Sequence, residues 1–325
     1  MKIYNIGIIG LGAIAHAYAK SLVAVPNANL YAVGSRSTDK ANKFKRTFDA
    51  DVAYGSYKEL FEDKLVDIVY IATPMSSHYK DMINALESNK HILCEKSFTL
   101  NANEAKHIFE IAKRKNLFVM EALWSRFNPT LLEVRELIDE GLIGKITKVD
   151  LEFSIDKPYD ETSRLYNKEL GGGALLDVGI YPITFTDMMI GLNYKTIKSS
   201  AELAPTKVDQ SNKIELDFEK LSATLTSGFD KQGLNFGYIY GTTGYMLIND
   251  FWANQYAVVI KDKKIVKVIS NPFLVNGLEY QTIHVLECLD KSLVESNIMP
   301  PSKTIEIMTF MDSLRKAWGI TYLTE

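Results

Sequence analysis

Cysteine is almost missing from this 325-residue chain: Cys94 and Cys288 stand alone, without the close pairing of a zinc site or redox dithiol. Two isolated thiols fit a reducing compartment, so a cytoplasmic location is expected. Histidine is scarce as well. His16, His78, His91, His107 and His284 show no metal-ligand spacing, and no metal centre is expected. Neither sign of charge dominates, since 37 Lys plus Arg against 40 Asp plus Glu leave −3. With no basic stripe either, the balance argues against nucleic acid and against an anionic membrane surface. No stretch reaches the roughly 18 uninterrupted apolar residues that cross a bilayer. The apolar start is not read as a secretory signal, because Tyr4, Asn5 and three glycines interrupt it. There is no Gly-x-Ser-x-Gly elbow and no Gly-Lys-Ser or Gly-Lys-Thr phosphate loop. What remains is an ordinary composition, 46% hydrophobic and 24% charged, at a length that predicts two domains.

The chain is organised around Tyr4 to Ala15, where an apolar strand meets Gly10-Leu11-Gly12-Ala13-Ile14-Ala15 and continues into a helix. Strand, glycine turn and helix opening in that order read as a dinucleotide cradle. Gly10 lets the chain turn tightly and Gly12 lets backbone approach a pyrophosphate. The phosphates then face the unpaired N–H groups at the helix start, around Ala13 and Ile14. Further strands are expected at 29–36, 52–54, 67–74, 91–95 and 117–123, with helices at 38–48, 57–62, 78–88 and from Asn101. Alternation of this kind specifies a doubly wound parallel sheet over residues 1–122. From residue 123 the grammar changes. Asn128-Pro129 opens a helix, and from Lys145 apolar residues alternate with polar ones. Short runs at 213–219, 223–229, 234–240, 245–249, 255–261 and 265–270 predict an open, mostly antiparallel sheet, with helices near 175–189, 279–295 and 302–318. Residues 123–325 are therefore expected to form a substrate-binding and oligomerisation domain.

Ligands of doubly wound sheets bind outside the carboxyl ends of the strands. At the second strand's end Ser35 and Arg36 stand where an acid would select a ribose 2′-hydroxyl. Donors and a positive charge there favour a 2′-phosphate, hence NADP over NAD. Thr73, Pro74 and His78 follow a later strand, and Glu95 with Lys96 ends the next; together with the glycine turn they make up the expected cofactor site. A second constellation is Gly171-Gly172-Gly173-Ala174-Leu175-Leu176-Asp177-Val178-Gly179-Ile180-Tyr181. Asp177 and Tyr181 lie one helical turn apart, so both can point from one face. A phenol near 10 serves proton transfer at neutrality only beside a cation, for which Lys96 is nominated.

Gly10 to Ala15, Cys94-Glu95-Lys96 and Gly171 to Tyr181 together resemble the Gfo/Idh/MocA oxidoreductase family over essentially the whole chain. Met120 to Phe127 and Gly172 to Asp177 are most similar to its dimeric dihydrodiol dehydrogenase and NADP-dependent D-xylose dehydrogenase branch. The family's Glu-Lys-Pro signature aligns with Glu95-Lys96, with Ser97 replacing proline. The resemblance implies a catalytic Lys96, an active-site Asp177, and Tyr181 as proton donor and acceptor where many members carry histidine. It also implies an aromatic substrate wall of Trp124, Phe153 and Trp252, while Arg126 either contacts substrate or braces a strand end. The expected activity is hydride transfer between nicotinamide C4 and a carbinol carbon of a sugar or cyclic diol. A reductase of C=N or C=C bonds and a non-catalytic NADP sensor are the alternatives. Apolar residues such as Leu234, Phe236 and Tyr238 on an open sheet face predict a homodimer or homotetramer.

Overall fold

A computed structural model of the chain describes residues 2–322, which divide into two compact units. The first runs to Trp124 and also takes in Leu274–Thr309, and the second comprises Ser125–Phe273 and the described residues from Phe310 to Tyr322. Compactness thus assigns a late segment to the first unit, where a single cut after residue 122 would not.

The first unit alternates β1 (Tyr4–Ile9), α1 (Ala13–Ser21), β2 (Ala28–Gly34), α2 (Thr38–Phe48), β3 (Val52–Tyr54) and α3 (Tyr57–Glu62). It continues with β4 (Ile68–Ile71), α4 (Met75–Glu87), β5 (His91–Glu95), α5 (Ala102–Lys115) and β6 (Val119–Ala122). The six strands are all parallel, in the order β3-β2-β1-β4-β5-β6. In the central strands β1, β4 and β5, Ile6, Ile8, Val69, Ile71, Ile92 and Leu93 are buried, as strands covered on both faces require. Strand order reverses between β1 and β4, the crevice where such sheets bind ligands. Local capping fixes the helix starts. Asn101 accepts the Glu104 N–H at the head of α5, as the sequence suggested.

The second unit holds α6 (Pro129–Asp139), β7 (Ile146–Ser154), α7 (Ile180–Ile190), β8 (Thr196–Leu203), β9 (Asp209–Asp217), β10 (Ser222–Gly228) and β11 (Phe236–Gly241). It adds β12 (Tyr245–Asn249), β13 (Tyr256–Lys261) and β14 (Lys264–Ser270). The sheet order is β14-β13-β12-β11-β7-β10-β9-β8, antiparallel except for the β7–β10 pair. Two helices follow, α8 (Glu279–Asp290) in the first unit and α9 (Pro301–Ala317), within which the unit boundary falls. Asn128 accepts the Thr130 and Leu131 N–H groups with Pro129 at the first helical position, so α6 starts where expected. Three details differ from the sequence reading. Strand β8 was not foreseen, being largely exposed, with its apolar row of Ile197, Ala201 and Leu203 interrupted by Ser199. Leu234 lies before β11 and is exposed, whereas Phe236 and Tyr238 do alternate with buried Gly237 and Ile239. Finally, Leu175–Gly179 forms a π turn ahead of α7, so Asp177 and Tyr181 are not separated by a plain α-helical turn. By length and composition Lys168–Ile190 could cross a membrane, but 83% of its apolar window is buried within the protein, as in a core helix.

Candidate active site

In the first unit the residues at the strand ends build a cradle. Gly10 has φ +78°, and a Cβ there would come within 2.4 Å of backbone atoms of Ala72 and Thr73, so the turn between β1 and α1 admits only glycine. A Cβ at Gly12 would meet nothing nearer than 3.9 Å. No side chain caps α1, and Gly12, Ala13 and Ile14 are exposed, which leaves the helix N-terminus open toward an anion. These features fit a dinucleotide pyrophosphate. At the end of β2, Ser35 is buried and accepts the Ser37 N–H, while Arg36 is exposed. Two residues not foreseen stand beside this turn. Burial pushes the Tyr57 phenol and the Asp81 carboxyl up, while the Arg36 charge pulls both down. Asp81 also accepts the Thr73 hydroxyl at 2.7 Å, which pins the end of β4.

Lys96 is half-buried immediately after β5, and side chains fix the backbone on either side of it. Glu95 is buried and accepts the Tyr70 hydroxyl, and the Tyr70 ring stacks on Tyr18 of α1 at 3.5 Å. The Lys96–Ser97 peptide is cis, with Ser97 in the place of the family's proline. Beyond it, buried Glu121 accepts the Phe98 N–H at 3.0 Å and the Thr304 hydroxyl at 3.0 Å. His78 is buried among three acceptors: Nδ1 lies 3.1 Å from the Ser97 carbonyl and 3.3 Å from that of Phe98, and Nε2 lies 2.9 Å from that of Thr73. A neutral imidazole can donate to only one side of this arrangement at a time. Burial pushes its pKa down, with the nearby Lys96 charge adding to the effect and the three carbonyls opposing it.

In the second unit Phe153, from the end of β7, stacks on Trp252 with centroids 3.6 Å apart, and the Tyr181 ring packs 5.6 Å from Phe153. Three of the residues singled out in the sequence thus share one aromatic wall. Asp177, on the π turn, is paired with Arg164 at 2.8 Å, a partner from the loop after β7 that sequence reading missed. Arg126 is paired with Asp187 of α7 at 2.7 Å, so the structure gives it a bracing contact. Trp124 closes the first unit, half-buried at the head of a one-turn 3₁₀ helix, Trp124–Phe127. Among the described residues, no three His, Cys, Asp or Glu side chains gather as metal ligands would.

Comparison with known proteins extends this picture. Residues 4–123 match the model of an oxidoreductase family with an NAD-binding Rossmann fold, and residues 131–247 match the GFO/IDH/MocA C-terminal domain. The chain is 32% identical to trans-1,2-dihydrobenzene-1,2-diol dehydrogenase of Mus musculus, covering 97% of each chain. It is 31% identical to the NADP(+) D-xylose 1-dehydrogenase of Hypocrea jecorina, covering 97% of this chain and 92% of that one. Among solved structures, a 3-ketoreductase from Actinomadura kijaniata in complex with NADP and TDP-benzene superposes with a TM-score of 0.86 at 25% identity, covering 97% of this chain and 98% of the other.

Proposed function

Because the chain belongs to the Gfo/Idh/MocA oxidoreductase family, we propose that it is an NADP-dependent dehydrogenase acting on a CH–OH group of a sugar or cyclic diol. The observation that carries this reading is the grouping of Tyr181 with the Phe153–Trp252 stack, next to the turn that bears Asp177. A buried phenol beside a flat aromatic wall suits a ring-shaped substrate whose hydroxyl must lose or gain a proton. When bound, NADP supplies the hydride chemistry. The protein's own residues do the rest. The cradle at Gly10 and Gly12 holds the pyrophosphate and Arg36 the 2′-phosphate. Tyr181 exchanges the substrate's hydroxyl proton with Lys96 as its cationic partner, and Asp177 orients hydroxyl groups. Support for NADP comes from the exposed Arg36 at the end of β2 and from the cofactor named for the Hypocrea jecorina relative.

General acid–base catalysis contributes typically ~10²–10⁴ in rate, so Tyr181→Phe is expected to lower turnover by that factor. Its NADPH dissociation constant, read by fluorescence titration, should stay unchanged. Turnover is measured as NADP reduction across pentoses, hexoses, inositols and aromatic diols. A Tyr181→Phe enzyme of full rate would overturn the assignment.

We further infer a homo-oligomer. On the solvent side of the second sheet, Tyr238, Tyr240, Tyr245, Leu247, Val258 and Ile260 are half-exposed along β11 to β13, where an uncovered antiparallel sheet normally carries polar residues. A second copy laid on this face would cover it. Light scattering should give a multiple of the 36.6 kDa chain mass, and Tyr240→Glu should shift it toward the monomer; a wild-type monomer would sink the idea.

A further inference from the structure

Gly171 to Gly179 carry Asp177 and lead into Tyr181, yet little within the segment itself explains why it holds a π turn. The explanation lies beneath it, in the second sheet. Asp209 at the start of β9, Asn212 on the same strand and Ser227 on β10 are all buried. They form a chain of hydrogen bonds: the Ser227 hydroxyl donates to Asn212 Oδ1 at 2.9 Å, and Asn212 Nδ2 donates to Asp209 Oδ2 at 2.9 Å. The same Asp209 oxygen accepts the Leu175 N–H at 2.7 Å, at the first residue of the π turn.

The segment lies so close to this chain that two of its glycines have no room for a side chain. A Cβ on Gly173, which also has φ +132°, would come within 2.6 Å of Asp209 Oδ1; one on Gly179 would come within 2.8 Å of Ser227 Oγ. The Tyr322 hydroxyl, also close to Gly173, donates to the Gly172 carbonyl at 2.5 Å. We infer that Asp209, Asn212 and Ser227 form a buried polar shelf that fixes the Gly171–Gly179 segment, which makes Asp209 a positioning residue for Asp177 and Tyr181. The inference rests on the catalytic reading of those two residues.

The shelf is not electrically inert. Asp209 Oδ1 has no hydrogen-bond partner among the described residues, and burial pushes the carboxyl up to about 6. The groups facing it are the Arg315 guanidinium of α9, which pulls the other way, and the Tyr322 hydroxyl that flanks Gly173. Above pH 6 the carboxylate is the strong acceptor for Leu175 N–H, and as pH falls through 6 the grip on the turn weakens. Turnover should therefore carry an acid limb near pH 6.

The test uses the full chain and two readouts. Asp209→Ala should lower kcat about 10- to 100-fold with the NADPH dissociation constant within about twofold, because misplacement of reacting groups by about 1 Å costs on the order of 10²-fold. Asp209→Asn keeps an acceptor without the charge, as protonation does; it should sit at every pH at the reduced turnover that the wild type approaches below pH 6, a smaller loss than that of Asp209→Ala, with no acid limb. By hydrogen exchange, Asp209→Ala should lose protection in peptides spanning 171–181 while other peptides keep theirs. If Asp209→Ala does not fold, Gly179→Ala reads the shelf's other contact with the segment, that of Gly179 on Ser227. It should lower kcat about tenfold alone and much less in a Ser227→Ala background, which removes the oxygen its methyl meets; an equal loss in both backgrounds overturns the shelf. So does wild-type turnover and exchange in Asp209→Ala. Full turnover in Tyr181→Phe would instead defeat the catalytic reading and leave the exchange result to decide the shelf on its own.

Discussion

The two units support their candidate site residues by different means. In the first, the glycine turn, Ser35 and Arg36, Thr73 and Lys96 all stand at or just beyond the ends of parallel strands, held in register mainly by main-chain ladders, with Asp81 on Thr73, Tyr70 on Glu95 and Glu121 on the Phe98 N–H as added side-chain ties. In the second, Tyr181 and Asp177 stand on a turn and a helix placed by side chains: Asp209 and Ser227 below, Arg164 on Asp177, Arg126 on Asp187. Backbone support tolerates many side-chain changes. Side-chain support does not where the partners are buried, as Asp209, Ser227 and Asp187 are, while Arg164 is exposed and more easily replaced.

The sharpest way to break that comparison is at Arg126. Its side chain is 11% exposed and that of Asp187 only 1%, so this ion pair is shielded from water. Removing one partner of a buried pair costs about 3–5 kcal/mol, since the remaining charge keeps its desolvation without its main compensation. Arg126→Ala should therefore lose that much stability in urea unfolding followed by a probe in the second unit, such as the Trp252 environment. Arg126→Lys, which keeps the charge but not the planar fork, should fall between the two. If Arg126→Ala unfolds like the wild type while substrate KM rises steeply, the arginine contacts substrate and the bracing role is wrong.

The same contrast explains how much was legible in the sequence. β5, α2 and α3 coincide with their expected spans, and the heads of α5 and α6 sit where Asn101 and Asn128-Pro129 announced them, because capping and apolar runs are local signals. The strand-end residues were legible for the same reason: a strand followed by a polar residue is visible without knowing the neighbours. The partners in the second unit were not. Arg164 lies 13 residues from Asp177 and Asp209 lies 34 from Leu175, and nothing in the chain between them says that they meet. The first unit hides its own long-range pair, Tyr70 on Glu95, 25 residues apart. Strand β8 escaped because its one apolar row, Ile197, Ala201 and Leu203, is interrupted by Ser199 and stays largely exposed, a weak period-two signal.

Arg36 is the opposite extreme from Arg126 and gives the smaller, more selective effect. It is exposed, and its tie to the fold is its charge near Asp81 and Tyr57, so Arg36→Asp should cost little thermal stability compared with Arg126→Ala. Its effect should fall on the cofactor alone. Charge-assisted hydrogen bonds contribute roughly 1.5–3 kcal/mol, which corresponds to about 10- to 150-fold in affinity for the dinucleotide that carries the 2′-phosphate. An aspartate in its place repels that phosphate and can accept from a free 2′-hydroxyl, so NAD should bind as well as before or better. Parallel titrations of NADPH and NADH by fluorescence measure both arms. Equal weakening of the two would place Arg36 on the pyrophosphate or the turn instead, and the backbone-supported unit would then depend on a side chain as strictly as its neighbour does.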